Sequence, residues 1–257
     1  MLNNRNIQIL FSLILLALLF VDLKVGFSFI RYLIFIVTYL AFNVYGSCNI
    51  RANYFLDSVC RGNIQIKTIA ITFDDGPSAM HTQEVLNILK NQKAPAAFFV
   101  IGKNITGNEA LLKQMDNEGH IIGNHSYSHN FWFSMKSADN MLLDIEKCNA
   151  KIKQAIGKCP QLFRPPYGVT NPMVAKAVKK GAYTSIGWSL RTFDTIAKNK
   201  EKLLQKTLNI LSSGDVVLFH DWGQHTASVL NDFIVAARLK GFEIVRIDQL
   251  LEVKAYI

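Results

Sequence analysis

Hydrophobic spacing divides the chain into two unlike parts. Ile7 to Val21 is apolar apart from Gln8 and Ser12, and Val25 to Tyr45 is a second apolar run interrupted by Arg31 and a few small polar residues. A membrane-spanning helix needs roughly 20 such residues, so the second run is long enough and the first is short. No A-x-A cleavage site follows the first run, which argues against a removed signal peptide. Residues 1–46 are therefore expected to form a retained membrane anchor of one or two helices. The alternative is a hydrophobic hairpin buried against the rest of the protein. Arg5, Lys24 and Arg31 fall on different sides of the runs or within them, so basic residues give no orientation.

Residues 47–65 resemble a connector. Beyond them the period alternates between two and about 3.6. Thr68–Phe73 reads as a buried strand, and "MHTQEVLNILKNQ" as a helix with Val85, Leu86 and Leu89 on one face. "AAFFVIG" is a second strand, "NEALLKQMDNEG" a helix stopped by Gly119, and "HIIGNHS" a third strand. A long helix is predicted over Ser137–Ile156, and "LFRPPYG" cannot be helical because Pro165 and Pro166 lack amide donors. "NPMVAKAVKKG" is a capped helix with Pro at its first turn. "TSIGWSL", "GDVVLFH" and "FEIVRI" complete the strands, with helices near Lys200–Leu211 and Ala227–Leu239 between the last three. Strands alternating with helices predict a parallel sheet. About seven of them over residues 66–257 predict an α/β fold, a distorted β/α barrel, closed or nearly so. No G-x-G-x-x-G or P-loop follows any strand, which argues against a nucleotide-binding sheet.

Composition changes this picture little. The net charge is +9 and half the residues are hydrophobic. Residues 62–257 hold 23 Lys and Arg against 17 Asp and Glu, scattered rather than striped. That pattern argues against nucleic acid and suits an anionic envelope or membrane face. Cys48, Cys60, Cys148 and Cys159 contain no C-x-x-C pair, so a zinc knuckle is not expected. Outside the cytoplasm they could pair in any of three ways.

Candidate chemistry gathers where strands end: Asp74-Asp75, His125, Arg164, Asp194 and His220-Asp221. Parallel α/β folds build sites at the carboxyl ends of strands. His125 and His129 lie four apart, so on a turn both imidazoles can reach one metal, with a carboxylate completing a plausible zinc set. Two adjacent aspartates at the Gly76-Pro77 turn can diverge, one holding a cation and the other accepting a proton from bound water. Arg164 needs a buried partner, for which Asp194 is the leading candidate. His220 ends the most apolar strand and suits a general acid.

"TFDDGP", "HSYSH", "RPPYG", "WSLRTFD" and "LFH", in this order, resemble the motifs of the polysaccharide deacetylases, the NodB-homology group of carbohydrate esterase family 4. The resemblance covers roughly residues 66–250. It implies Asp74 as catalytic base and Asp75, His125 and His129 as ligands of one divalent ion, zinc first, with cobalt, manganese or nickel as alternatives. Arg164 would orient Asp74, and Asp194 would hold Arg164 or His220. His220 would be the general acid. The Tyr167 N–H would polarise the acetyl carbonyl and Leu218 would line the methyl pocket. The implied activity is N-deacetylation of an amino-sugar glycan of peptidoglycan or chitin type by an enzyme at the cell membrane, its catalytic domain outside the cytoplasm. Alternatives are an O-acetyl esterase of xylan-type glycans and a catalytically silent, anchored glycan-binding protein. One departure concerns the fourth motif, where Arg191 and Thr195 stand in place of the family's usual Asp and Trp.

Overall fold

The computed structural model describes residues 3–257. Two helices come first, α1 (Asn4–Val25), capped by the Asn3 side chain, and α2 (Phe29–Cys48). Both are long and apolar enough to cross a membrane by length and composition, with mean hydropathies of 2.2 and 1.5. Only Ile7 and Phe11 are buried on α1 and only Gly46 on α2. The alternative of a hairpin buried against the domain is therefore not what forms. The helices meet through Phe11, whose ring lies 5.4 Å from Phe35 and 5.1 Å from Tyr39.

The remainder follows the order β1 (Ser58–Val59), β2 (Thr68–Asp74), α3 (Thr82–Asn91), β3 (Ala96–Val100), α4 (Gly102–Ile105), α5 (Glu109–Asn117) and β4 (Ile121–Asn124). After these come α6 (Ala138–Ile156), β5 (Leu162–Phe163), α7 (Pro172–Lys180), β6 (Thr184–Ile186), β7 (Leu190–Arg191) and α8 (Lys200–Ile210). β8 (Val216–His220), α9 (Gln224–Leu239), β9 (Glu243–Ile244) and α10 (Ile247–Leu251) close the chain. The nine strands form one parallel sheet in the order β1-β6-β5-β4-β3-β2-β8-β7, with β9 also pairing β2. The sheet is a curled half-barrel. It has nine strands rather than seven because β1 comes from the segment expected to connect and because "TSIGWSL" is two strands, not one.

Alternation along the strands decides what reaches the site. On β2, Ile69, Ile71 and Phe73 join the larger core, packed with the helices, while Ala70 belongs to a second, smaller core. β3 divides the same way, with Phe98 in the larger core and Ala97 and Phe99 in the smaller. Successive side chains face opposite ways, so Thr72 and Asp74 continue the stripe begun by Ala70, and Leu218 and His220 the one begun by Val216. Small residues such as Ala70 and Ala97 leave room inside the curl for polar groups. The four cysteines are free thiols, with Cys148 buried and Cys48 exposed.

Candidate active site

Strand register assembles the site. Parallel pairing sets Asp74 opposite His220 on β8 and opposite Phe99 on β3, and Asn124 on β4 opposite Phe163, the residue before Arg164. Asp74, Asp75, His125, His129, Tyr167, Leu218 and His220 all line one cleft of about 180 Å³, with Trp188, Arg191, Thr195 and Trp222 on its walls. A larger hollow of about 530 Å³ beside α8 contains lysines and apolar groups but no cluster of acids or imidazoles. The smaller cleft gathers the candidate residues.

Arg164 lies fully buried inside the curl. Its Nη1 donates to Asp74 Oδ1 at 2.7 Å and to Thr72 Oγ1 at 3.0 Å. Nη2 donates to Gly187 O at 2.9 Å and Nε to Ile186 O at 3.2 Å, and the guanidinium lies 4.0 Å from the centre of the Phe99 ring. Asp74 is thus held on one oxygen, leaving Oδ2 for the cleft. Asp194, the partner first expected for Arg164, is elsewhere. Its carboxylate accepts from His220 Nδ1 (2.9 Å), the His220 N–H (2.8 Å), Thr226 Oγ1 (2.6 Å) and Thr192 Oγ1 (3.0 Å). The register placing β7 beside β8 delivers Asp194, three residues beyond β7, to His220 and not to Arg164.

Burial disfavours a charged His220. The hydrogen bond and charge of Asp194, with help from Asp74 and Asp75, outweigh it and carry the imidazole above its ordinary range. Asp194 moves the other way: burial raises its pKa, but its bonds with His220 and Thr226 hold it below the usual carboxylate range. Because Asp194 only accepts, His220 carries its proton on Nδ1, and the protonated ring presents a second N–H from Nε2.

The metal-ligating candidates also converge. His125 Nδ1 lies 2.7 Å from the Arg164 carbonyl, which can only accept, so this nitrogen bears a proton and Nε2 is the nitrogen placed to ligate. His125 Nε2 lies 3.5 Å and His129 Nε2 3.3 Å from Asp75 Oδ1. That oxygen is buried without a hydrogen-bond donor, while Trp222 Nε1 donates to Asp75 Oδ2 at 3.0 Å. A tetrahedral ion with bonds of ~2.0–2.2 Å holds its ligands about 3.3–3.6 Å apart, so both distances to Asp75 Oδ1 suit one, and all three ligand atoms lie within 4.8 Å of one another. Burial, then the neighbouring His125, pushes His129 down to about 4, which keeps it neutral and able to ligate. Asp75 (φ 75°), His129 (φ 43°) and Tyr167 (φ 60°) all sit in the left-handed region. Such backbone costs about 1–3 kcal/mol per residue and is characteristic of functional sites.

Sequence reasoning missed several supporting residues. Trp222 and Thr226 follow His220 closely, and only proximity to that motif could have flagged them. Asp144, on α6, accepts the Tyr127 and Ser128 N–H groups and so shapes the loop bearing both histidines. Asp221 accepts from Thr82 Oγ1 at 2.6 Å, and burial pushes its carboxyl up to about 7. A Cβ on Gly76 would lie 2.1 Å from Asp221 Oδ2, which is why glycine turns the chain there. Arg191 lies 5.9 Å from the centre of the Trp188 ring, so the departure in the fourth motif puts a cation at the cleft rim.

Comparison with known proteins agrees with this arrangement. A family model described as polysaccharide deacetylase matches residues 61–186. A peptidoglycan-N-acetylglucosamine deacetylase of Bacillus cereus is 36% identical over 193 residues, covering 73% of this chain and 90% of that protein. The peptidoglycan-N-acetylmuramic acid deacetylase PdaA of Bacillus subtilis is 32% identical, covering 76% of this chain and 75% of its own length. Among solved structures, the Bc1960 peptidoglycan N-acetylglucosamine deacetylase superposes with a TM-score of 0.73 at 28% identity, over 76% of this chain and 93% of that one. A CE4-family pseudoenzyme from Bacillus anthracis superposes with a TM-score of 0.71 at 26% identity, over 76% and 69%. With its motifs gathered in one cleft and relatives matched along most of both chains, this chain belongs to the polysaccharide deacetylase family.

Proposed function

We propose that the chain is a metal-dependent N-deacetylase of an envelope glycan of peptidoglycan type, held at the cell membrane by residues 1–46 with its catalytic domain, residues 66–257, outside the cytoplasm. One observation supports the chemistry most. A triad of lone pairs from Asp75, His125 and His129 shares one cleft with an arginine-held carboxylate, Asp74, and an aspartate-held imidazole, His220. The complete triad also speaks against a silent binding protein. The two apolar helices support the anchor, and the deacetylases of Bacillus support the glycan.

Asp75, His125 and His129 would hold a divalent cation, with zinc preferred for its N and O donors. When bound, such an ion lowers the pKa of its water towards ~7 and polarises the acetyl carbonyl. Asp74 Oδ2 takes the proton from the attacking water, while Arg164 keeps the carboxylate oriented. The Tyr167 N–H helps stabilise the oxyanion, and Leu218 packs against the acetyl methyl. His220 Nε2 donates its proton to the departing amine, so that the sugar leaves as a free amine and acetate is released.

This assignment fixes a pH response. The acid must be protonated, so activity falls as pH rises through the His220 pKa. Asp194 holds that pKa up, and Asp194→Asn is expected to move the alkaline limb of kcat/KM to lower pH. An unmoved limb would remove His220 from the role. The substrate class is tested by acetate release from peptidoglycan and N-acetylglucosamine oligomers against acetylated xylan. Release from the amino-sugar polymers alone is expected. Release from xylan alone would make the protein an esterase, and release from none would make it a binding protein.

A further inference from the structure

Three large apolar side chains stand in water beside the cleft. Phe131 is 70% exposed, Trp132 63% and Met135 74%. They follow His129 on the loop leading to α6, and such a cluster within five residues marks a contact surface. Its position relative to the apolar helices indicates what it contacts. The last turn of α2 is hydrogen-bonded to the loop after Tyr167. Ser47 Oγ donates to Thr170 O at 2.7 Å, Thr170 N to Ser47 O at 3.0 Å, and Thr170 Oγ1 to Gly46 O at 3.3 Å. The next residue, Asn171, donates through Nδ2 to Ser134 O at 2.6 Å, within the aromatic loop itself. A continuous path of hydrogen bonds thus joins the end of α2 to Phe131–Met135.

The same loop touches the catalytic groups. The Phe131 ring lies 6.1 Å from Tyr167, and the Tyr167 ring 4.6 Å from His129. α1 begins at this end of the hairpin too, since Asn4 N donates to Tyr54 O at 2.9 Å and Ile7 and Phe11 are buried with Tyr54. The bend between the helices, at residues 26–28, lies a full helix length away. At 1.5 Å per residue α2 is about 30 Å long, the thickness of a bilayer's hydrocarbon core. A spanning α2 therefore puts Gly46 and Ser47 at the near surface of the membrane, together with whatever is bonded to them. The mount is closely packed: a Cβ on Gly46 would lie 2.2 Å from the Tyr54 ring, so glycine lets the domain pack directly on the helix.

We propose that Phe131, Trp132 and Met135 sit in the membrane interface beside the anchor, so that the catalytic cleft takes its N-acetylated sugar at the bilayer surface. The inference rests on α1 and α2 being a retained anchor. Tryptophan favours this layer, its ring meeting acyl chains and its N–H the headgroups. Tyr45, 57% exposed in the last turn of α2, adds a second amphipathic ring at the same depth. Glycan deep in the wall is then beyond reach, and sugar borne on a lipid or just leaving the membrane is within it.

Full-length protein in vesicles of lipids brominated near the headgroup tests the contact without relying on activity. A component of tryptophan emission should be quenched, and Trp132→Phe should remove it, because Trp188 and Trp222 line the cleft. Equal quenching in both proteins would overturn the proposal and leave the anchor standing. Protein that fails to float with the vesicles would overturn both. A variant with Trp132→Ser and Met135→Ser, which leaves Phe131 on Tyr167 in place, should be several-fold slower on N-acetylated glycan tethered to vesicle lipid and unchanged on the same glycan free in solution. Equal rates on the two substrates, relative to the parent protein, would overturn the proposal.

Discussion

Asp74→Asn is expected to lower kcat on N-acetylated oligosaccharides by about 10²–10⁴, the usual contribution of a positioned general base. The substitution is nearly isosteric, and an amide oxygen can still accept from Arg164 Nη1, now 2.7 Å from the carboxylate. The change removes basicity and leaves the shape of the cleft. Metal content should be unchanged, because Asp75, His125 and His129 supply the converging lone pairs. A purified variant that holds metal, stays folded with a lowered melting temperature because the buried Arg164 has lost its anionic partner, and loses activity isolates the base. A variant retaining near-normal turnover would move the role elsewhere in the cleft.

Arg164→Met is expected to destabilise the fold by about 3–5 kcal/mol, the cost of leaving a buried charge without its partner. The guanidinium is fully buried, and four of its bonds reach Asp74, Thr72, Ile186 and Gly187. Methionine fills part of the volume beside Phe99 and satisfies none of these acceptors. Denaturant unfolding of the full chain in detergent would report the loss. The cost should shrink on an Asp74→Asn background, where no carboxylate is left uncompensated. Strict additivity of the two changes would mean that the pair is not coupled as its 2.7 Å contact implies.

The strands and their polar ends were legible because continuous apolar runs such as β2 and β8 stop at Asp74 and His220. What stayed hidden depended on register or on contacts distant in sequence. β1 has two residues, too few to carry a period, and exists because Ser58–Val59 pairs Ser185–Ile186. "TSIGWSL" breaks where the carbonyls of Ile186 and Gly187 turn to Arg164. The single-strand reading missed this because the guanidinium comes from a residue more than twenty positions earlier. "FEIVRI" ends as a strand after Ile244, and Ile247 starts α10 instead. The partner of Arg164 was misjudged from the motifs' charges alone. Neither Asp74 nor Asp194 is near it in sequence, and only the sheet order decides between them. The trio proposed to hold the metal was easier, since H-x-x-x-H after one strand and paired aspartates after a neighbouring one meet wherever β2, β3 and β4 lie side by side.

The most direct test of the account is mass spectrometry of oligosaccharides after incubation with purified full-length protein, run untreated, chelated, and chelated then resupplied with zinc. Peptidoglycan fragments should lose acetyl groups only from sugar nitrogen, stop losing them on chelation, and lose them again with the metal. Deacetylation that continues unabated in chelator after metal is shown to be gone, or acetyl loss confined to oxygen, would contradict it.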